Sequence, residues 1–244
     1  RGMGTILAAF ESAWEMLVGF DPDLMRIVAL SLRISLSAVL VASLIGLPLG
    51  AVLALRRFPG RQLLVVLLNA FMGLPPVVVG LTVYLLLARA GPLGVLGLLF
   101  TPTAMVIAQT LLITPIIAAL SRQVIEDLWV DYDEQLRSLG AGPGRAMWTL
   151  LWDARFSLLT AVLAGFGRAI AEVGAVLIVG GNIDRVTRVM TTTIALETSK
   201  GDLALALGLG IILITLAVIV NSAAYLIKGA GERMSRVRPA LGRA

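Results

Sequence analysis

The chain has 244 residues, 58% of them hydrophobic and 14% charged, with a net charge of +5 and neither cysteine nor histidine. A soluble domain carries about 25% charged residues to cover its surface, so much of this surface faces something other than water. The missing cysteines exclude disulfides and thiolate metal sites, and the missing histidines remove the commonest general base and metal ligand; the positive charge fits the basic loops of a membrane protein better than nucleic-acid binding.

The first element is short. Residues 5–20 are too few to span and include Glu11 and Glu15. Ile6, Leu7, Phe10, Trp14, Leu17 and Val18 recur at helical spacing, which predicts an amphipathic helix over 3–22 lying in the membrane interface. Apolar runs follow. Residues 34–55, 63–88, 90–121 and 203–227 carry no charge, and 156–183 carries only Arg168 and Glu172. About 20 residues cross a hydrocarbon core as a helix. Five spans are therefore predicted, near 26–55, 63–88, 95–120, 156–181 and 203–228. The expected fold class is an all-α integral membrane protein forming a single transmembrane domain. Its core covers 26–228, with a long connection at 121–155, another at 182–202, and a basic tail at 229–244.

An odd number of spans puts the termini on opposite sides. With the amino terminus outside, the inner segments hold twelve Lys and Arg and the outer segments six. Basic residues accumulate in cytoplasmic loops, so the expected orientation is amino terminus out and carboxyl terminus in.

Proline interrupts three spans, at Pro48, at Pro75-Pro76 and at Pro115. Proline removes a backbone donor and frees a carbonyl, so such helices kink or break. In lipid the freed groups need neighbouring helices or a water-lined cavity. Gly73-Leu74-Pro75-Pro76 suits a gate or pathway as well as it suits a plain kink. Arg168 and Glu172 stand four residues apart on one helix face. Ionisable groups in a span face the protein interior, where this pair would line a pathway or fix helix packing.

The connection 121–155 is the most informative stretch. Asp131, Asp133 and Glu134 precede Arg137, which suits a helix dipole, and Gly140 is placed to end that helix. After Gly142-Pro143-Gly144 a second helix can begin. Two short helices meeting at a glycine corner make a knob that can dock into a groove on a soluble partner.

Here the sequence resembles the permease subunits of bacterial and archaeal ATP-binding-cassette importers. Their cytoplasmic loop carries Glu-Ala-Ala, three residues, Gly, nine residues, then Ile-x-Leu-Pro. Glu134 and Gly140 fall on the Glu and Gly, inside Leu139-Gly140-Ala141. Gln135 and Leu136 replace Ala-Ala, Leu150 fits the aliphatic position, and Trp152 and Asp153 depart from Leu-Pro. The resemblance covers about 30–228 and is closest to oxyanion importers of the tungstate branch. It rests there on Ala171-Glu172-Val173-Gly174, Gly180-Gly181-Asn182 and the run from Thr187 to Thr198. Molybdate permeases tend towards Gly-Glu-Phe-Gly at the first of these places.

The resemblance implies a type I importer permease fold in a bacterial or archaeal cytoplasmic membrane. It implies coupling to a separate ATPase through Glu134, Leu139, Gly140, Ala141, Gly142 and Pro143, delivery by an extracytoplasmic substrate-binding protein, and a homodimer. ATP and magnesium would sit on the partner ATPase. This chain has no phosphate-binding Gly-x-x-x-x-Gly-Lys-Ser/Thr loop, so it is expected to be a transport subunit with no catalytic residue, metal or cofactor of its own. Its remaining partner is membrane lipid. Candidate pathway or gate residues are Pro75, Pro76, Arg168, Glu172, Asn182, Thr191, Thr192 and Thr193. A tetrahedral oxyanion accepts hydrogen bonds, which the threonines and Asn182 could donate without a buried opposing charge. Arg185 and Arg188 could concentrate anions by steering; the same residues also suit a capped, solvated outer helix. The alternatives are a molybdate or sulfate importer permease of the same fold, and a self-contained secondary transporter, which would need repeats and more than one central acid.

Overall fold

The computed structural model of the chain describes residues 14, 19 and 22–237. The interfacial helix expected over 3–22 lies outside the described residues except at isolated positions, as do residues 238–244 of the tail. All regular structure among the described residues is helical.

Helix α1 (Pro22–Leu55) opens with proline in its first turn and Asp23 beside its positive end. Pro48 lies inside α1 without ending it. Gly60, at φ +86°, turns the chain into α2 (Arg61–Phe71). The second predicted span is not one helix. It breaks at 72–75 and restarts as α3 (Pro76–Leu87). Pro76 forces Pro75 into an extended conformation, φ −64° and ψ 122°, and itself occupies the first helical position.

The third span begins later than the expected residue 95. A single 3-10 turn forms at Gly94–Leu96, and α4 (Pro102–Ser138) starts at the next proline, where Thr101 Oγ1 accepts the Ala104 N–H at 3.4 Å. Helix α4 contains Pro115 and continues past 120 to Ser138, so the first half of the 121–155 connection extends a span helix. Helices α5 (Pro143–Asp153) and α6 (Arg155–Ile170) meet at a 75° bend. The fourth predicted span also breaks: α6 stops at Ile170 and α7 (Gly174–Gly180) follows. Helix α8 (Met190–Lys200) lies in the 182–202 connection. Helix α9 (Leu203–Val237) is capped by Asp202 Oδ1, which accepts the Leu205 N–H at 3.1 Å. It runs past the expected end of the fifth span, so the tail is helical as far as Val237.

Among the described residues, Pro22–Leu55, Pro102–Leu136 and Leu203–Leu226 are each long and apolar enough to span, and the number rises to five when each bent pair counts as one. Leu36, Leu40 and Leu44, at helical spacing on α1, are 50%, 62% and 69% exposed. Such a stripe is unfavourable in water and is the expected surface in lipid.

Two compact units divide the chain. One comprises Arg1–Val39, Leu74–Leu112 and Gly167–Val218; the other comprises Leu40–Gly73, Ile113–Phe166 and Ile219–Ala244. The boundaries fall inside α1, α4, α6 and α9 and at the break between α2 and α3.

In the first unit α3 crosses α7 at backbone distance. A Cβ on Gly80 would sit 2.7 Å from the Ala175 Cα, so only glycine allows this approach. The Phe100 N–H donates to the Val179 carbonyl at 3.0 Å across from it. Leu24, Met190, Leu209 and Ile212 form a second apolar cluster. In the second unit α1 lies against α4 through Gly46 and Gly50. A Cβ on Gly50 would come within 2.5 Å of the Ala118 carbonyl oxygen. Ser121 Oγ donates to the Leu47 carbonyl at 3.2 Å beside this contact.

Candidate translocation site and coupling turn

The residues singled out from the sequence sort cleanly. Pro75, Pro76, Arg168, Glu172, Asn182, Thr191, Thr192 and Thr193 all belong to the first unit, and Glu134 to Pro143 all belong to the second.

In the first unit the break between α6 and α7 is organised by one carboxylate. Glu172 is 3% exposed. Its Oε2 accepts Arg168 Nη1 at 2.8 Å and its Oε1 accepts the Ala175 N–H at 3.0 Å. Both oxygens of a buried charge thus meet donors, which offsets desolvation. The Glu172 carbonyl accepts Thr191 Oγ1 at 2.9 Å, tying the break to the first turn of α8. Pro76 is close as well, since a Cβ on Gly174 would meet Val77 Cγ2 at 3.0 Å. Arg168 keeps about a third of its side chain exposed, and among the described residues Glu172 is the one side chain it is bonded to.

The threonine run turns inward. Thr192 and Thr193 donate to the Val189 carbonyl at 3.0 and 2.7 Å, and all three threonines are buried. Thr192 Oγ1 also accepts the Val189 N–H at 3.1 Å. A hydroxyl has one proton, and each of the three is committed to a backbone carbonyl. They cap α8 and hold loops together, the second of the two roles the sequence allowed them.

Beside them lies a cavity of about 10 Å³ lined by Ser31, Ser35, Gln109, Glu172 and Thr191 with apolar neighbours, room for about one water. Gln109 Nε2 donates to the Ala169 carbonyl at 3.0 Å, while its Oε1 is buried without a partner. This space is too small for a tetrahedral oxyanion and presents an acceptor and a carboxylate to it. Ser31 Oγ accepts the Met190 N–H at 2.9 Å and donates to Ile27 at 2.7 Å, fixing α8 to α1.

Asn182 sits apart, in the turn after α7, at φ +49°. Asn tolerates this left-handed conformation better than most non-glycine residues, and its Oδ1 is buried without a partner among the described residues. The turn is held by Thr187, fully buried, whose Oγ1 donates to the Gly180 carbonyl at 2.5 Å and accepts the Ile183 N–H at 3.0 Å. Arg188 pairs with Asp184 at 2.9 Å, and Arg185 lies 3.9 Å from Asp23. The two cations are therefore partly neutralised.

In the second unit the knob is built around Leu136, Ala146, Leu150 and Ala154, buried together with Ile125 and Ala51. Helix α4 ends through Gly140 at φ +67°, and the Ala141 N–H returns to the Leu136 carbonyl at 2.9 Å, closing the last turn. Gly142 is extended and Pro143 begins α5. Outward the turn is bare: Leu139 is 81% exposed, and a Cβ on Gly140, Gly142 or Gly144 would meet nothing within 4 Å among the described residues. Asp153, where the family pattern has proline, accepts the Tyr132 hydroxyl at 2.8 Å and fastens α5 to α4. Behind it Glu126 is shared between Arg61 and Arg122, and Arg61 Nε donates to the Leu53 carbonyl at 2.6 Å.

Several of these residues carry no sequence signal beyond residue type. Thr187, Gln109 and the Arg61–Glu126–Arg122 group are joined only by the fold. Gly46-Leu47-Pro48-Leu49-Gly50 is different: small residues four apart in an apolar run mark a helix contact.

Comparison with known proteins gives concordant matches. The tungstate uptake system permease protein TupB of Peptoclostridium acidaminophilum is 39% identical over 91% of this chain and 98% of its own length. Its namesake in Campylobacter jejuni is 34% identical over 91% of this chain and 93% of its own length. The sulfate transport system permease protein CysW of Synechocystis is 29% identical over 87% of this chain and 82% of its own length. These are permease components, and a self-contained secondary transporter does not fit them. Residues 46–230 match the profile described as binding-protein-dependent transport system inner membrane component, and the chain belongs to that family of multi-pass membrane permeases.

Proposed function

We propose that this chain is the membrane permease of an ATP-driven tungstate importer. The carrying observation is the 39% identity to a tungstate uptake permease along 98% of that protein, against 29% for a sulfate permease. The subunit works as a homodimer, because a single set of five short spans is too small to enclose a pathway of its own. It lies in a bacterial or archaeal cytoplasmic membrane with its amino terminus outside and its carboxyl terminus inside, as the basic residues favour.

A separate ATPase, holding ATP and magnesium, docks on the turn Leu139-Gly140-Ala141-Gly142-Pro143 with Glu134 on the helix leading into it. The bare outward face of that turn and its braced inner face support this reading. A substrate-binding protein delivers the anion on the opposite side. The pathway runs past the breaks at Pro75-Pro76 and at Glu172. In this reading Arg168 supplies the attraction for the anion, since its guanidinium has donors beyond the one held by Glu172, whereas the three threonines keep the breaks in shape. Asn182 marks the mouth.

The test is uptake of labelled tungstate by cells expressing this chain with its ATPase and binding protein, with excess molybdate or sulfate as competitor. Uptake that depends on this chain and resists both competitors supports the tungstate reading. Transport of sulfate or molybdate in its place would keep the permease and replace the substrate.

A further inference from the structure

A groove of about 350 Å³ opens on the second unit between α1 and the α5–α6 bend. Its walls are largely apolar, formed by Leu44, Leu47, Pro48, Leu158, Leu159 and Val162, and the exposed Trp148 and Arg155 line it as well. The Arg155 guanidinium stacks over Trp152 at 5.0 Å and over Phe156 at 4.5 Å, and its Nη1 donates to the Trp152 carbonyl at 2.6 Å. Among the described residues it meets no carboxylate, and the Trp152 carbonyl takes one of its five N–H donors. Trp148 is 65% and Trp152 72% exposed. Indoles and arginines at the end of an apolar segment are the usual composition of the headgroup level of a bilayer.

We propose that this groove is a binding site for one anionic phospholipid, with an acyl chain along Leu44, Leu47 and Leu159 and the phosphate on Arg155. Two features select this occupant. A slot with apolar walls needs a hydrocarbon. The cation at its rim needs an anion, and a guanidinium matches phosphate with two parallel hydrogen bonds. A phospholipid meets both needs in one molecule. An apolar helix from a second copy would fill the slot and leave the guanidinium without a counterion, which is costly away from water. The stacking on Trp152 and Phe156 holds the guanidinium plane fixed in advance of binding, which lowers the entropy lost when the lipid arrives.

The test uses the full complex of this chain with its ATPase, purified in detergent. Phosphatidylglycerol and phosphatidylcholine of identical acyl chains are titrated, and retained lipid is counted by native mass spectrometry. One tightly retained phosphatidylglycerol per copy of this chain is expected. Arg155→Ala should weaken its retention about tenfold, the loss of a charge-assisted pair of hydrogen bonds, while phosphatidylcholine is unaffected. Arg155→Lys should fall between. A second variant keeps the proposal exposed if Arg155→Ala fails to assemble: Leu159→Cys, in a chain with no other cysteine, carrying a fluorophore that brominated phosphatidylglycerol should quench more strongly than brominated phosphatidylcholine. Equal retention of both lipids by the unmodified complex would overturn the proposal. So would disulfide-linked dimers of Leu159→Cys in native membranes, which would assign the groove to a second copy.

Discussion

Glu172 and Arg168 form a 2.8 Å ion pair whose acidic partner is almost wholly buried and whose basic partner is not. The asymmetry sets the division of labour: the carboxylate belongs to the fold, and the guanidinium reaches beyond it. Glu172→Ala removes a buried acceptor from both Arg168 and the Ala175 N–H. Breaking a buried pair on one side costs about 3–5 kcal/mol; because Arg168 retains contact with solvent, about 3 kcal/mol is expected. Glu172→Gln keeps an oxygen for Ala175 and should lose roughly half as much. Reversible unfolding in mixed micelles measures the order. An alanine variant as stable as the parent would remove Glu172 from the organisation of the α6–α7 break.

Thr187 is a second fixed point, bracing the turn that carries Asn182. Its hydroxyl both donates to Gly180 and accepts from Ile183. Thr187→Val has nearly the same shape but strands the buried Gly180 carbonyl and the part-buried Ile183 N–H. A loss of about 1–3 kcal/mol is expected for an unsatisfied group. Thr187→Ser keeps both bonds and should lose less than about 1 kcal/mol, the cost of one methyl group. Equal stability of the valine and serine variants in the same micelle assay would show that the turn is held by something other than this hydroxyl.

The sequence and the structure part company at the breaks. Apolar runs made the long helices legible, because crossing hydrocarbon needs length and apolarity and little else, but the fourth predicted span, 156–181, differs from the bent pair Pro143–Asp153 and Arg155–Ile170 that completes the set of up to five. Pro75-Pro76 advertised a break because two rings remove two donors. The break at Ala171-Glu172-Val173 had no such mark: it depends on a carboxylate folding forward onto Ala175 and on Thr191 reaching back to Glu172, nineteen residues away. The threonine run was ambiguous: its composition suited anion donors and a capped helix equally, and the carbonyls that take its protons are brought near only by the fold. Gly140 was legible because a left-handed residue ending a polar helix is a local requirement. Asp153 was not, since its partner Tyr132 lies twenty-one residues upstream.

The α1–α4 contact gives a graded series of glycines. A Cβ on Gly50 would sit 2.5 Å from the Ala118 carbonyl oxygen and 2.8 Å from the Arg122 nitrogen, both backbone atoms that cannot turn aside. Gly50→Ala should therefore cost about 3 kcal/mol, the upper range for an overpacked core. On Gly46 the nearest atoms are Ile117 Cγ2 at 3.1 Å and the Ala118 backbone nitrogen at 3.2 Å, tight but several tenths of an ångström looser than at Gly50, so Gly46→Ala should cost less, about 1 kcal/mol. Gly210 in α9 meets nothing within 4 Å, and Gly210→Ala should gain about 0.5–1 kcal/mol in helix propensity. Melting temperatures of the three purified variants test the ranking. A Gly50→Ala variant that melts with the parent would mean the helices can separate at no cost.

Gly140 allows folding and coupling to be measured apart. Its φ of +67° penalises any residue with a Cβ, by about 1–2 kcal/mol, and asparagine less than others. Among the described residues nothing lies within 4 Å of the added carbon, so no steric cost is expected there until a partner arrives. Gly140→Asn and Gly140→Leu should both insert and unfold within about 2 kcal/mol of the parent. If the turn is the ATPase dock, the leucine variant should lose co-purifying ATPase and tungstate uptake by about tenfold or more, the effect of about 1.4 kcal/mol at the contact. The asparagine variant, smaller and polar, should keep a larger share of both. The strain is nearly common to the pair, so their difference reports the contact and leaves the fold aside. Full uptake by Gly140→Leu with ATPase still bound would move the coupling surface elsewhere on the chain.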